Sequence, residues 1–353
     1  MMYKNLCKWL IFIFAALFIT ACSNEPKLIS LSGSTMGTTY HIKLVPNDNL
    51  PSAPLLQAKI DLALDKVNNQ MSTYRENSEL SKFNQLSSAE SIQVSPDTAK
   101  VINEGIKLYH ITNGALDITL GPLVNLWGFG PDKRPATIPS QEQIDEAKSR
   151  TGMDGFTEKN TQLTKLNPDL YIDLSSIAKG FGVDKVSEIL NSYRVSGYMV
   201  EIGGEVRTFG SKENGALWRI AVEQPTTDER AVQQVIEPTT MAMATSGDYR
   251  NYYEEDGQRF SHLIDPRTGF PINHKLASVT VLNKSCMVAD GYATAMMVLG
   301  VEDSLALAKK ENLAIMLIAK EKDGFKVYYS EPFKKYLVDD GNVKTASINK
   351  KEQ

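Results

Sequence analysis

Residues Leu170 to Asp184 change periodicity in mid-stretch, and this switch limits the folds open to the chain. Leu170, Ile172 and Leu174 alternate with Tyr171 and Asp173, the period-two signature of a strand. Ser175 and Ser176 follow as helix N-cap types, and Ile177, Val183, Val186, Ile189 and Leu190 supply a helical apolar stripe. Lys179, Gly180 and Gly182 lie at the helix start. Free backbone N–H groups beside a cation suit a phosphate or pyrophosphate. An ordinary capped helix with a surface lysine satisfies the same pattern, because no full Walker or dinucleotide glycine fingerprint is present.

The rest of the chain alternates irregularly. Leu31 to Val45 reads as a strand region interrupted at Gly33 to Gly37. Helices are predicted over Pro51 to Met71, from Ser78 through Phe83, over Ser95 to His110 and over Pro139 to Arg150. Ala115 to Gly130 reads as an irregular, glycine-rich apolar loop, a type of segment that often carries function. Leu163 to Leu174 reads as two strands joined at Asn167-Pro168-Asp169. Tyr198 to Ile202, Glu205 to Phe209, Trp218 to Val222, Val232 to Thr245, Arg259 to Ile264 and Ala277 to Leu282 make a β-rich half. Ala289 to Leu299 and Val301 to Lys310 read as helices, and Asn312 to Ala319 and Phe325 to Tyr329 as terminal strands. Hairpin-like strand pairs without regular βαβ winding predict an α+β fold, a single large domain of mixed, mostly antiparallel sheets flanked by helices. The 353 residues suffice for it, and a net charge of −4 gives no basic footprint for nucleic acid.

The first residues have a different logic. Lys4 and Lys8 precede an apolar run, Trp9 to Phe18, that is short for a membrane span. It ends in Ile19-Thr20-Ala21-Cys22, which resembles a bacterial lipobox. The division expected is a signal peptide over 1–21, a lipidated tether over 22–30 beginning at Cys22, a folded domain over 31–345 and a polar tail over 346–353. An uncleaved anchor with an incidental cysteine is the other reading. Either one puts the remainder of the chain outside the cytoplasm, tethered to a membrane. Of three cysteines, Cys7 would leave with the signal and Cys22 would carry lipid. Cys286 then has no partner and is expected to be a buried structural thiol.

Several residues could carry chemistry. Asp290 and Thr294 are four apart, so a helix presents them on one face as hard oxygen ligands suited to Mg2+. Asp290 could equally be a helix-start carboxylate favoured by the dipole. His262, one of four histidines, precedes the turn Asp265-Pro266-Arg267-Thr268-Gly269. It could take a proton from a hydroxyl nucleophile or serve only as a structural hydrogen bonder. Met36, Tyr74 and the Ala115-Leu116-Asp117 segment could sandwich a flat ring or simply pack.

Taken in order, the segments Ser34 to Thr38, Met71 to Tyr74, Asn77 to Leu80, Gly114 to Thr119, Leu126 to Gly130, Asp173 to Gly180, Glu201 to Glu205, Thr245 to Arg250, His262 to Pro271 and Ala289 to Thr294 closely resemble the ApbE-like lipoproteins, the FAD:protein FMN transferases. The resemblance implies Mg2+-dependent cleavage of FAD as substrate, attachment of FMN through a phosphoester to a threonine of a partner flavoprotein, and release of AMP. It implies metal ligation by Asp290, Thr294 and position Ser176, the last through its backbone carbonyl because some members carry alanine there. It implies FAD contacts from Met36, Tyr74, Ala115, Leu116, Asp117, Asp173, Lys179 and Ile264, with His262 as catalytic base. Some members have glutamate in place of Lys179, and some have aspartate where this chain has Ala293. The resemblance points to acceptors such as membrane subunits of sodium-pumping quinone reductase and related electron-transfer complexes, and to a lipid anchor on the periplasmic side of the inner membrane. An FAD pyrophosphatase and a non-catalytic flavin-binding lipoprotein are the alternatives.

Overall fold

A computed structural model describes residues 28–87, 89–131, 137–226, 231–249, 251–255 and 257–338. The expected strand region near the start is a hairpin of Ile29–Thr35 (β1) and Thr38–Leu44 (β2), turned at Met36-Gly37. Next come helices Ala53–Met71 (α1) and Glu79–Asn84 (α2), strand Ser91–Gln93 (β3), helix Pro96–Ile111 (α3) and the short helix Gly121–Leu126 (α4). Helix Gln141–Ser149 (α5) leads to strands Phe156–Lys159 (β4) and Gln162–Lys165 (β5), then to helix Ser175–Ser192 (α6). Strands Gly197–Ile202 (β6), Glu205–Gly210 (β7), Ile220–Glu223 (β8), Val232–Ile236 (β9), Ala242–Gly247 (β10), Tyr252–Glu255 (β11), Gln258–Ser261 (β12) and Leu276–Asn283 (β13) precede helix Cys286–Lys310 (α7). Strands Ala314–Glu321 (β14) and Gly324–Tyr329 (β15) and a 3-10 turn, Glu331–Tyr336, follow.

The central sheet has the order β1-β2-β6-β7-β10-β13-β14-β15, and every neighbouring pair is antiparallel. Smaller sheets are β3-β5-β4, β8-β9 and β11-β12. The α+β, mostly antiparallel architecture is the one expected. One face of the central sheet packs on helices: Leu56, Ile60 and Leu64 of α1 and Val183, Val186 and Leu190 of α6 meet Tyr40, Ile42, Val200 and Ile202. Ala293, Met296 and Met297 of α7 meet Ala244, Val279, Val281 and Leu317. The opposite face meets Ile220, Val222, Ile236 and Phe333 through Met243, Leu282, Met316 and Ile318. With both faces covered, β13 and β14 are nearly continuously buried rather than alternating, and in β13 this includes the hydroxyl residues Ser278 and Thr280.

Some local readings are corrected. Leu170 to Leu174 belongs to no sheet, although Leu170, Ile172 and Leu174 are buried. The Asn84 side chain takes both backbone groups of Ile172, accepting its N–H at 2.8 Å and donating to its carbonyl at 2.9 Å, and the Asp173 N–H donates to the Ile118 carbonyl. Backbone groups satisfied in this way need no neighbouring strand. Ser175 and Ser176 are not the N-cap of α6. Leu174 holds that position, and the Asp173 carboxylate accepts the Ser175 N–H. Ala115 to Gly130 contains α4, and Val232 to Thr245 is broken into β9 and β10. The two helices expected at Ala289 to Leu299 and Val301 to Lys310 are both present, the first starting at Cys286, and they are separated at Gly300, whose φ of 81° leaves helical geometry.

Asp184 of α6 locks this helix to α7. Its carboxylate accepts from the Ser285 hydroxyl and from the Cys286 and Met287 N–H groups at the start of α7, and it pairs with Arg207 at 2.6 Å. A carboxylate is stabilising at a helix N-terminus. Gly180 completes the contact: a Cβ there would lie 2.4 Å from the Cys286 carbonyl oxygen. Gly180→Ala gains about 1 kcal/mol of helix propensity but overpacks a contact for about 1–3 kcal/mol. The obstructing atoms are backbone, so the clash is expected to win, with a net loss of up to about 2 kcal/mol in denaturant unfolding. An unchanged midpoint would show that the two helices separate freely. Cys286 itself is fully buried, as expected, and burial pushes its thiol well above the ordinary range, so it is inert.

Candidate active site

A cavity of about 930 Å3 opens between the α6 start, the first half of α7, the β6–β7 turn, β8 and the segment that follows α3. The locks described above fix its floor. Because Asp184 holds the start of α7 and Gly180 allows close approach, Asp290 in the second turn of α7 reaches across to α6. Its Oδ2 accepts the Gly180 N–H at 3.0 Å, and its Oδ1 lies 3.6 Å from Lys179 Nζ. The same ammonium is 3.1 Å from Glu205 Oε1. Glu205 comes directly after a two-residue hairpin turn in which Gly203 and Gly204 take φ of 59° and 104°, the conformation such a turn demands. Glu205 Oε2 is buried and has no hydrogen-bond partner.

Two nearly fully buried carboxylates therefore face one ammonium. Burial raises both acids, and Lys179 opposes the rise. Glu205, with Asp290 adding to the rise, is pushed up to about 8, and Asp290 is held above the usual carboxylate range. Burial alone would depress Lys179, but Asp290 and Glu205 outweigh it and hold the lysine above its ordinary value. Thr294, one turn beyond Asp290, turns its hydroxyl toward Ser246 Oγ at 3.4 Å and lines the same cavity. Ser176 lines it from the first turn of α6.

His262 lines the cavity from just past the end of β12, not from within a strand. Its Nδ1 is 2.9 Å from the Asn251 carbonyl. A carbonyl only accepts, so in the neutral ring Nδ1 carries the proton and Nε2 is left as the base. Burial lowers the pKa of the imidazole, the Asn251 carbonyl opposes this, and the Lys179 charge adds to the lowering. Phe129 packs edge-on to the ring.

The residues expected to contact a flat ring divide. Tyr74, Ala115, Leu116, Asp117, Asp173 and Ile264 all line the cavity, as does Lys179. Tyr74 is 67% exposed, with its hydroxyl donating to the Phe129 carbonyl at 3.3 Å, so its ring stands at the mouth. Asp117 accepts from the Thr119 N–H and hydroxyl, and burial still raises its pKa. Met36 does not line the cavity. It sits at the β1–β2 turn with φ of 49° and packs between two core clusters beside Gly182. Glu205 was not singled out from sequence: it lies inside a motif whose glycines read first as a turn, and only its burial exposes its importance. Thr245, Ser246 and the His41–Glu201 pair, 2.8 Å apart, also line the cavity and were not expected there.

A family model described as the ApbE family matches residues 36–317. The chain belongs to the ApbE family. The FAD:protein FMN transferase of Vibrio cholerae is 50% identical over 329 residues, covering 93% of this chain and 98% of that one. The FAD:protein FMN transferase of Escherichia coli K12 is 41% identical over 340 residues, with 93% and 97% covered. Among solved structures, the flavin transferase ApbE from Vibrio cholerae superposes with a TM-score of 0.83 at 51% identity, covering 88% of this chain and all of that one. The apo flavinyl transferase ApbE of Pseudomonas stutzeri gives 0.81 at 39% identity, covering 88% and 97%. The ApbE match takes in the whole cavity lining, from Thr38 to Val298.

Proposed function

We propose that the protein is an FAD:protein FMN transferase that works with Mg2+ at the Asp290 end of its cavity. The observation that carries this reading is a cluster of buried oxygen donors. Asp290 and Glu205 bring two carboxyl groups to one ammonium, with Glu205 Oε2 unpartnered and the Thr294 hydroxyl one turn from Asp290. Hard oxygen donors of this kind fit a divalent cation that takes few protein ligands. Asp290 and Thr294 would hold it, with the backbone at Ser176, and when bound it would neutralise a pyrophosphate and a departing phosphate.

The chain's own residues account for the rest. The α6 start, with Ser175, Ser176 and Lys179 on the cavity wall, favours an anion such as the FAD pyrophosphate. Tyr74 and the Ala115–Asp117 segment offer apolar and polar surface for a flavin at the mouth. His262 Nε2 would take the proton of an acceptor threonine as its oxygen bonds to the FMN phosphorus. The bond from that phosphorus to the bridging oxygen breaks, and AMP leaves with that oxygen. Incubating the protein with FAD, Mg2+ and a threonine-bearing acceptor tests this. Covalent flavin on the acceptor supports transfer, free FMN and AMP without it would mean a pyrophosphatase, and unchanged FAD would mean a carrier.

The reading extends to location. Cys22 lies outside the described residues. Among the described residues no helix is long and apolar enough to cross a membrane. Lipid on Cys22 would hold the enzyme on the periplasmic side of the inner membrane, where membrane flavoproteins such as sodium-pumping quinone reductase subunits are the acceptors. Cys22→Ala is expected to move the protein from the membrane to the soluble fraction while transfer to a soluble acceptor stays at the wild-type rate. Membrane retention of that variant would remove the lipid anchor from the picture.

A further inference from the structure

Lys179 already holds the Asp290 carboxylate that a divalent cation at Asp290, Thr294 and Ser176 would need. Its Nζ lies 3.1 Å from one carboxylate and 3.6 Å from the other. The two acids are only 4% and 3% exposed along their side chains, whereas the Lys179 side chain is 32% exposed. Its open side is the cavity, on the same helical turn as Ser175 and Ser176. The ammonium is thus held by two carboxyl groups, and its exposed side faces the cavity where an anion would sit.

We propose that Lys179 is a positioning residue that acts as the resident cation of this site, competing with Mg2+ until an incoming pyrophosphate draws its ammonium away. The inference rests on the reading that the site takes Mg2+. Its physical content is competition and repulsion: an ammonium and a divalent ion that share the Asp290 carboxylate cannot both be held tightly in a poorly solvated pocket. Without FAD the lysine keeps Asp290 occupied and excludes the metal. With FAD bound, the lysine has a second anionic partner, and Asp290 is released to the metal. Metal and substrate then load together, which is positive coupling between two ligands.

The test is Mg2+ binding to the full protein without FAD, by calorimetry. Lys179→Met is expected to bind Mg2+ at least tenfold more tightly than the wild type, while Lys179→Arg, which keeps the cation, stays within about threefold of it. A Lys179→Met protein that binds Mg2+ equally or more weakly overturns the proposal. A second measurement needs no variant: the rate at which an amine-acetylating reagent modifies Lys179 in the wild type, read by peptide mass spectrometry. Saturating Mg2+ should raise it severalfold as the ammonium is expelled, and an unchanged rate would sink the idea. If no chain binds Mg2+ and transfer proceeds without it, the metal reading itself falls. If Mg2+ binds and supports transfer but Lys179→Met binds it no better, only the competition falls.

Discussion

Asp290→Ala is expected to cut Mg2+-dependent FMN transfer by at least about 10²–10³-fold, the cost of removing one group that stabilises charge developing in a transition state. The change leaves Lys179 beside Glu205, whose burial favours the protonated acid, so no carboxylate in the pocket attracts a divalent ion. It also takes the acceptor from the buried Gly180 N–H, which costs about 1–3 kcal/mol of stability in its own right. Asp290→Asn separates the two effects. Its amide oxygen can still accept from Gly180, so the fold should hold, while the charge on the site is lost. Both variants should retain FAD binding, because the cavity surface from Tyr74 to Asp117 is untouched. Initial transfer rates across a Mg2+ titration, with FAD affinity measured in parallel, decide the matter. Wild-type turnover with an unchanged Mg2+ dependence in either variant would remove Asp290 from the metal site.

His262→Ala is expected to lower transfer by about 10²–10⁴-fold, the usual worth of general-base help, with FAD affinity nearly unchanged. The hydrogen bond from Nδ1 to the Asn251 carbonyl selects the tautomer, and burial keeps the ring neutral to lower pH than a free histidine. The sign follows. Wild-type transfer should be level above the ordinary histidine range and fall only as pH drops through the depressed value, where the base becomes protonated. The variant should lose that limb. The unfolded chain binds the same proton more readily, so native stability also declines as pH falls below the ordinary histidine value. Rates must therefore be taken where the fold is intact by circular dichroism. A variant that keeps the acid limb, or one that loses FAD binding and stability together, would reduce His262 to a prop for its loop.

The parts of this molecule that the sequence discloses are those governed by local rules. Ser95 and Ser140 cap α3 and α5 as their positions suggest, the latter in a reciprocal box with Gln143. The four-residue spacing of Asp290 and Thr294 does bring both to the cavity, because α7 is helical there. What local rules miss is decided by distant partners. The alternation at Leu170 to Leu174 is that of a strand, yet Asn84, 88 residues away, satisfies the backbone that a strand would have needed. Glu205 reads as the polar first residue of a hairpin strand. Only the approach of Lys179 and Asp290 from two helices makes it part of the site. Met36 falls in a stretch shared with the family, but its turn conformation sends it into the core rather than to the cavity wall.

The order of the central sheet sets when this site can come into being. His41 pairs with Glu201 across 160 residues, and Gly180 bonds to Asp290 across 110. Chains dominated by such distant pairings fold slowly, because long loops must close before any contact rewards them. A polypeptide emerging N-terminus first can display Tyr74, the Ala115–Asp117 segment and even Lys179 without holding a cavity. The floor is missing until α7, the last element to line the cavity, is made. Competence to handle flavin is therefore acquired late and all at once, and a chain interrupted before Asp290 is not a weaker enzyme but a chain with no active site.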